Sequence, residues 1–214
     1  MISPSLNLAI LILAAGESKR LGSAKQLLDW NGETLLQKSI STAQQLSSHC
    51  STEIYVVLGA RYDELLQHIT NNNIAICKNE RWFTGIGSSI HCGIEVIIAN
   101  GGADSVLIML CDQPFITSEH LQKLIELYSS LGKGIVSTNY SGINGVPAIL
   151  GRKYFDDLFA LRGEQGAKRL IQKYASDVES ITFEDATIDI DTMEDYNNAI
   201  HKRENHKNLF INHT

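Results

Sequence analysis

Residues Ala9 to Leu28, AILILAAGESKRLGSAKQLL, constrain the fold of this chain more than any other stretch. An apolar run, Ala9 to Leu13, gives way at once to Ala14, Ala15 and Gly16, and then to a polar segment carrying Lys19, Arg20 and Lys25. A short continuous apolar run of this kind reads as a buried strand, here one that feeds a basic loop. Small residues let another molecule approach the backbone closely, and the cations suit phosphate oxygens. The chemistry implied is triphosphate handling. Two better-known phosphate loops are excluded. Gly22 is followed by Ser23 and lies one residue too far from Gly16 for GxxxxGK[ST], and no GxGxxG follows the strand.

Downstream, buried strands alternate with amphipathic helices. Gln26 to Trp30 reads as extended, with a turn at Asn31-Gly32. Between Thr34 and Leu46, Leu35, Leu36, Ile40, Ala43 and Leu46 recur at helical spacing. Strands are expected at Glu53 to Leu58, Ile74 to Cys77, Ser105 to Cys111, Ile135 to Asn139, Val146 to Leu150 and Val178 to Phe183. Helices are expected at Tyr62 to Ile69, across Ile90, Ile94, Ile97 and Ile98, and at Ser118 to Leu131, Tyr154 to Leu161 and Thr192 to His201. That order demands an α/β fold with a mostly parallel sheet covered on both faces.

Several segments interrupt the pattern where ligands would bind. Ser88 and Ser89 fit the N-cap of the third helix, which would leave amides free for a carbonyl or ribose. Asp112 ends a continuously apolar strand, at the sheet edge where open α/β folds bind ligands, and it is the best single metal-ligand candidate. The glycines of Gly142 to Pro147 suit a loop near a substrate. Ile188 to Asp191 reads as a further strand end with two acids, Asp189 and Asp191, on one face.

Length and composition set the limits. With 214 residues, 43% of them hydrophobic, the chain can build one substantial core. We expect a single domain over residues 1–202 and a flexible tail over 203–214. A formal net charge of -6 argues against bulk nucleic-acid binding. Cys50, Cys77, Cys92 and Cys111 form no CxxC pair, so reduced thiols in the cytoplasm are expected, with no zinc site and no disulfide framework. The first apolar run is too short for a membrane span, and no cationic residue precedes it. On that reading the sequons at Asn139 and Asn212 are chance.

Six segments, taken in order, resemble one family. LAAGESKRLGSAKQLL is similar to the LAAGxSxRxGxxK signature of the molybdopterin nucleotidylyltransferases, and WFTGIGSSIHCGI, LCDQP, NGVP, RGEQGAK and DIDTMEDY match its later motifs. The resemblance spans nearly the whole chain and is nearest to the molybdenum cofactor cytidylyltransferase family. Glu164, Lys168 and Met193 depart from the family's usual Asp, Arg and Pro, and Lys168 loses the bidentate recognition an arginine gives.

The resemblance implies a Rossmann-like three-layer α/β/α fold of the nucleotide-diphospho-sugar transferase type. It implies Mg²⁺-dependent transfer of CMP from CTP to a molybdopterin-type phosphate, with a molybdoenzyme as recipient and no membrane or nucleic-acid partner. Ala14, Ala15, Gly16, Ser88 and Ser89 would then hold base and ribose, and Arg20 and Lys25 the triphosphate. Asp112 and Asp191 would hold the metal, with Asp189 as second choice, and Gly145, Pro147 and Lys168 would meet the acceptor. Guanylyl transfer to the same cofactor, cytidylyl transfer to a sugar or polyol phosphate, and a non-catalytic nucleotide-binding accessory role are the rival readings. Ala15, where guanylyl enzymes usually carry Gly, favours CTP.

Overall fold

The structure, a computed structural model, describes residues 6–46, 51–70 and 73–211. Cys50 and the Asn212 sequon lie outside them. Nine strands are described: β1 (Asn7–Leu13), β2 (Asp29–Trp30), β3 (Glu33–Thr34), β4 (Ser51–Leu58), β5 (Ile74–Lys78), β6 (Ser105–Leu110), β7 (Ile135–Tyr140), β8 (Ile143–Gly151) and β9 (Val178–Thr182). The helices are α1 (Leu35–Gln44), α2 (Tyr62–Leu66), α3 (Ile86–Ala99), α4 (Ser118–Leu131), α5 (Phe155–Phe159), α6 (Ala167–Lys173) and α7 (Met193–Ile211).

Seven strands form one sheet in the order β5-β4-β1-β6-β8-β7-β9, while β2 and β3 make a separate small hairpin. The sheet is parallel except at β8, which runs antiparallel to both β6 and β7. β1 sits between β4 and β6 and is apolar throughout its core because both of its faces are covered. Leu8, Ile10 and Ile12 pack on the side of α1 and α4, where Leu36, Ile40, Leu121 and Leu124 close the core. Ala9, Leu11 and Leu13 pack on the other side, under Ile90, Ile94 and Ile97 of α3, Phe155 and Leu158 of α5, and Leu170 of α6. Burying each large aliphatic side chain is worth about 1.5–3 kcal/mol.

Local signals set the helix ends. Thr34 Oγ1 accepts the Gln37 N–H at 3.1 Å and Gln37 Oε1 accepts the Thr34 N–H at 2.9 Å, a capping box that starts α1. Thr117 caps α4 through the His120 N–H, and Gly132, at φ +62°, ends it.

Three expectations are corrected. Gly142 to Pro147 is not a loop: Ser141 and Gly142, at φ +49° and +74°, make a tight hairpin turn, and β8 begins at Ile143. Its register against β7 shifts between Ser137 and Thr138, and this irregularity accommodates Pro147 inside a strand. Ile188 to Asp191 is not a strand, since the chain leaves the sheet after β9; Ile190 N–H, bonded to Asp112 O at 3.0 Å, ties it back, together with the ion pairs of Asp191 to Lys25 and Arg20. Ile98 is exposed rather than part of the core. α7 extends past Lys202 as far as Ile211, with the Arg203 guanidinium 4.8 Å from the Trp30 ring centroid.

His120 illustrates a buried group whose titration the fold suppresses. It is 3% exposed, hydrogen-bonded to Thr138 Oγ1 at 2.8 Å and stacked on Phe183. Burial, helped by the charge of Lys123, pushes its pKa down to about 4. In the unfolded chain it titrates near ~6.5. As pH falls from 6.5 to 4, the unfolded state therefore takes up a proton that the folded state does not. Stability from urea unfolding should drop by about 1–3 kcal/mol over that window through this group. A His120→Gln variant should show a correspondingly flatter profile, and identical profiles would refute the assignment.

Candidate active site

The loop after β1 is held open by one buried side chain. Gln26, 0% exposed, donates from Nε2 to the carbonyls of Ala14 at 3.0 Å and Gly16 at 2.8 Å, and its Oε1 accepts the Ser18 hydroxyl at 3.2 Å. Ser18 Oγ in turn accepts the Lys25 N–H at 3.1 Å. The loop thus folds back around the Gln26 amide, and its start and end are fixed relative to each other. Sequence reading placed Gln26 in an extended segment and missed this role. Its local sequence, between Lys25 and Leu27, gave no signal of the role, although a buried amide needs partners. A Cβ on Gly16 would meet no protein atom within 4 Å, so this glycine leaves room beside the backbone.

Lys25 emerges from that loop, on a single 3-10 turn over Lys25–Leu27, and meets two acids from distant segments. Its Nζ lies 2.5 Å from Asp112 Oδ2 and 2.8 Å from Asp191 Oδ1, while Arg20 Nη2 lies 2.6 Å from Asp191 Oδ2. Asp112 follows β6, next to β1 in the sheet, so both come to the same rim. Asp191 is carried there by the segment that Ile190 ties to Asp112 O. Burial opposes the Lys25 charge, but Asp112 and the hydrogen bonds to both carboxylates outweigh it, and its pKa is raised. Burial likewise opposes ionisation of Asp191, and Lys25 and Arg20 reverse the balance, holding its pKa below the ordinary value.

Asp189 stands close to the same charges. Burial and the neighbouring Asp112 push its carboxyl up to about 6. Cys111, beside Asp112, is a buried thiol pushed up to about 12 mainly by burial, so it is no nucleophile at neutral pH.

A cleft of about 350 Å³ opens between Lys25 and Asp112 at one end and Trp82, Phe83, Ile86 and Glu164 at the other. Its walls include Ala14, Ala15, Gly16 and Ser89. The far wall depends on glycines that let two loops touch. Gly85 has φ +104°, and a Cβ there would strike the Gly163 carbonyl group. Gly87 N–H donates to Gly163 O at 2.9 Å, and a Cβ on Gly87 would lie 2.8 Å from Arg162 N. The RGEQGAK segment is therefore fastened against the start of α3.

Among the residues expected from sequence, Ala14, Ala15, Gly16, Lys25, Ser89 and Asp112 line this cleft, and Arg20 and Asp191 join it through ion pairs. Ser88 does not line it. Neither Ser88 nor Ser89 is an N-cap, because α3 starts earlier, with Gly85 in that position. The Ser88 hydroxyl instead donates to Gly85 O at 2.8 Å and Arg81 O at 3.0 Å. Lys168 is exposed on α6 and Pro147 O accepts from Thr138 Oγ1, so neither lines the cleft. Gly145 lies under the Tyr140 ring, where a side chain would strike the hydroxyl. Burial raises the pKa of that hydroxyl, and the charge of Asp189 adds to it.

The Asp112 Oδ1 atom is buried and accepts no hydrogen bond among the described residues. An unpartnered carboxylate oxygen beside a second carboxylate suits a hard divalent cation, especially one completed by phosphate oxygens. The described residues offer no cluster of three or more His, Cys, Asp or Glu able to hold an ion on their own. No helix among them is long and apolar enough to cross a membrane.

A mostly parallel sheet with a basic loop facing acids across its carboxyl rim defines the class as nucleotidyltransferases acting on nucleoside triphosphates. Within that class the chain belongs to a specific family: residues 10–178 match the MobA-like NTP transferase domain. It is 28% identical over 199 residues to the purine catabolism protein PucB of Bacillus subtilis (strain 168), covering 87% of this chain and 92% of PucB. Over 189 residues it is 27% identical to the molybdenum cofactor cytidylyltransferase of Escherichia coli (strain K12), with the same two coverages. Among solved structures, Rv0371c from Mycobacterium tuberculosis H37Rv shares the fold at TM-score 0.78 and 22% identity, over 92% of this chain and 99% of that one. Rv0371c has also been solved in complex with manganese.

The contact between α3 and the RGEQGAK segment is backbone against backbone, so it leaves little slack. Gly87→Ala should cost about 1–3 kcal/mol in urea unfolding. It should also weaken nucleoside triphosphate binding measured by calorimetry. Wild-type values for both would show that the two loops need not touch.

Proposed function

We propose that the protein transfers a cytidylyl group from CTP to the phosphate of a molybdopterin-type acceptor and releases pyrophosphate. The observation that carries this reading is the single Lys25 ammonium shared by Asp112 and Asp191 at one end of the cleft. An oxygen of the acceptor phosphate attacks the α-phosphorus. The bond from that phosphorus to the bridging oxygen of the β-phosphate breaks, and pyrophosphate leaves with the electron pair. Phosphoryl chemistry of this kind is catalysed mostly by positioning and charge neutralisation, and it needs no side-chain nucleophile.

The chain's own residues supply those two effects. The backbone of Ala14 to Gly16, held by Gln26, lines the wall along which base and ribose would lie. Lys25 is partly buried, and its raised pKa keeps it cationic where charge would develop on the α-phosphate oxygens. Arg20, more exposed, would meet the outer phosphates. Asp112 and Asp191 would hold a divalent cation, Mg²⁺ by preference, which would neutralise triphosphate charge when bound. The Asp112 oxygen without a hydrogen-bond partner among the described residues supports that assignment. The β7–β8 hairpin with Gly145 would face the acceptor, and Lys168 would contribute at longer range. A molybdoenzyme would receive the product. The similarity to the E. coli cytidylyltransferase supports the choice of acceptor, and Ala15 supports the choice of base.

Two measurements test this. Screening ATP, CTP, GTP and UTP with molybdopterin and Mg²⁺ should give pyrophosphate fastest with CTP, and mass analysis should find the cytosine dinucleotide of the cofactor. A faster reaction with another triphosphate, or product formed only with a sugar phosphate, would replace this reading. Lys25→Ala and Asp112→Ala should each lower turnover by about 10²-fold or more, in line with losing a charge-stabilising group. Both variants should keep a cooperative thermal transition, and wild-type turnover by Asp112→Ala would remove the metal assignment.

A further inference from the structure

Gln113, the residue after Asp112, is 4% exposed and reaches across the fold to the segment that carries Asp191. Its Nε2 donates to Ala186 O at 2.9 Å, a bond between residues 73 positions apart. A carbonyl can only accept, so this bond settles which end of the amide is nitrogen. The Oε1 atom is buried and has no hydrogen-bond partner among the described residues. A buried acceptor left unpaired costs free energy that an apolar side chain of the same shape would not incur, so stability is a poor reason for an amide here.

Ala186 is 0% exposed and lies in the single 3-10 turn over Glu184–Thr187, just ahead of the two acids. Further on, Ile190 N–H donates to Asp112 O at 3.0 Å. Two neutral bonds from the turn at Asp112 and Gln113 thus bracket Asp189 and stop one residue short of Asp191. Other bonds fasten the same segment to α7 instead: Asp191 N–H donates to Asp195 Oδ2 at 3.2 Å, and Lys202 Nζ lies 2.6 Å from Asp185 Oδ1. Lys25 and Arg20 also hold Asp191, but as charges on side chains that would meet the triphosphate in the proposed reaction. A cation shared with phosphate oxygens holds a carboxylate less, whereas the neutral bonds do not compete with the ligand.

We propose that Gln113 is a positioning residue: by holding Ala186 O it keeps the segment that carries Asp191 against the Asp112 turn, so that the two carboxylates remain one cation site when Lys25 and Arg20 turn to the triphosphate. The inference rests on the assignment of Asp112 and Asp191 to a divalent cation and deepens it. Gln113 touches neither substrate nor cation; it acts through the backbone at Ala186.

Gln113→Met keeps the length and bulk of the side chain and removes only the donor. Calorimetry on the full chain with CTP, or with whichever triphosphate the wild type binds most tightly, is run with Mn²⁺ and again with a chelator. The factor by which Mn²⁺ tightens nucleotide binding reports the metal site, because the coupling is reciprocal. In Gln113→Met that factor should shrink about tenfold, the size typical of losing a group that orients a metal ligand. Affinity for the metal-free nucleotide should stay within about twofold of wild type, well short of that coupling loss. Under turnover, the Mg²⁺ concentration giving half the maximal rate should rise by a similar factor while the rate at saturating Mg²⁺ recovers, a rescue that a merely structural role would not produce.

An unchanged Mn²⁺ effect in Gln113→Met would overturn the proposal, as would an equal loss of metal-free nucleotide affinity or a turnover defect that high Mg²⁺ does not restore. Where Gln113→Met does not fold, Gln113→Asn serves with the same expectations, since its amide stops one methylene short of Ala186 O. Asp112→Ala separates the two readings. If it keeps the full Mn²⁺ effect, the metal assignment itself fails and this inference with it. If it loses the effect while Gln113→Met keeps it, the assignment stands and only the positioning role fails.

Discussion

The ammonium of Lys25, shared between Asp112 and Asp191, is the interaction on which the arrangement of this site depends. It joins three segments that lie far apart in the chain: the loop after β1, the end of β6 and the stretch before α7. Carboxylates gathered at one sheet rim repel each other unless cations stand among them. Lys25 and Arg20 meet that need with hydrogen bonds of 2.5 to 2.8 Å. Cations of this kind, beside a cleft of about 350 Å³, are the groups a triphosphate would engage.

The rest of the site consists of devices that hold this charge cluster beside an apolar wall. Gln26 fixes the basic loop from inside, using an amide where an apolar residue would leave two carbonyls without donors. Gly59 lets Trp82 approach the Ala15 carbonyl, since a Cβ there would lie 2.6 Å from Trp82 Cβ and 2.7 Å from Ala15 O. Gly85 and Gly87 let the Gly163 turn close on α3. The wall is therefore assembled by backbone contact, which is stiff, while the charged end is assembled by side chains that can exchange partners.

Asp189 shows how closely the carboxyl groups are crowded. Its pKa is pushed up to about 6 by burial and Asp112, whereas that of Asp191 is held down by Lys25 and Arg20. Two acids separated by one residue thus have opposite electrostatic tendencies, and the division follows from which one the cations reach. The strand expected there would have placed both on one face. The actual segment has no ladder, so their directions are set by separate bonds, among them Ile190 N–H to Asp112 O and Asp191 N–H to Asp195 Oδ2, and by the ion pairs.

What the sequence by itself determined was periodic or local. The continuous apolar run of β1 required burial on both faces, the spacing of Ile90, Ile94 and Ile97 required a helix on the sheet, and the six ordered motifs pointed to the family. Asp112 was legible because charge at the carboxyl end of a buried strand has few structural uses, and Lys25 and Asp191 because they fall in motifs of the family. The tertiary structure alone decided the identity of the buried polar partners. Gln26 and Asn79 carry no local pattern, because their bonds go to backbone and serines brought near by folding. It also decided that Ser88 and Ser89, adjacent and identical in sequence, diverge: one spends its proton inside α3 and the other faces the cleft. The physical reason is that hydrophobic periodicity is a property of neighbours along the chain, whereas hydrogen-bond satisfaction is a property of neighbours in space.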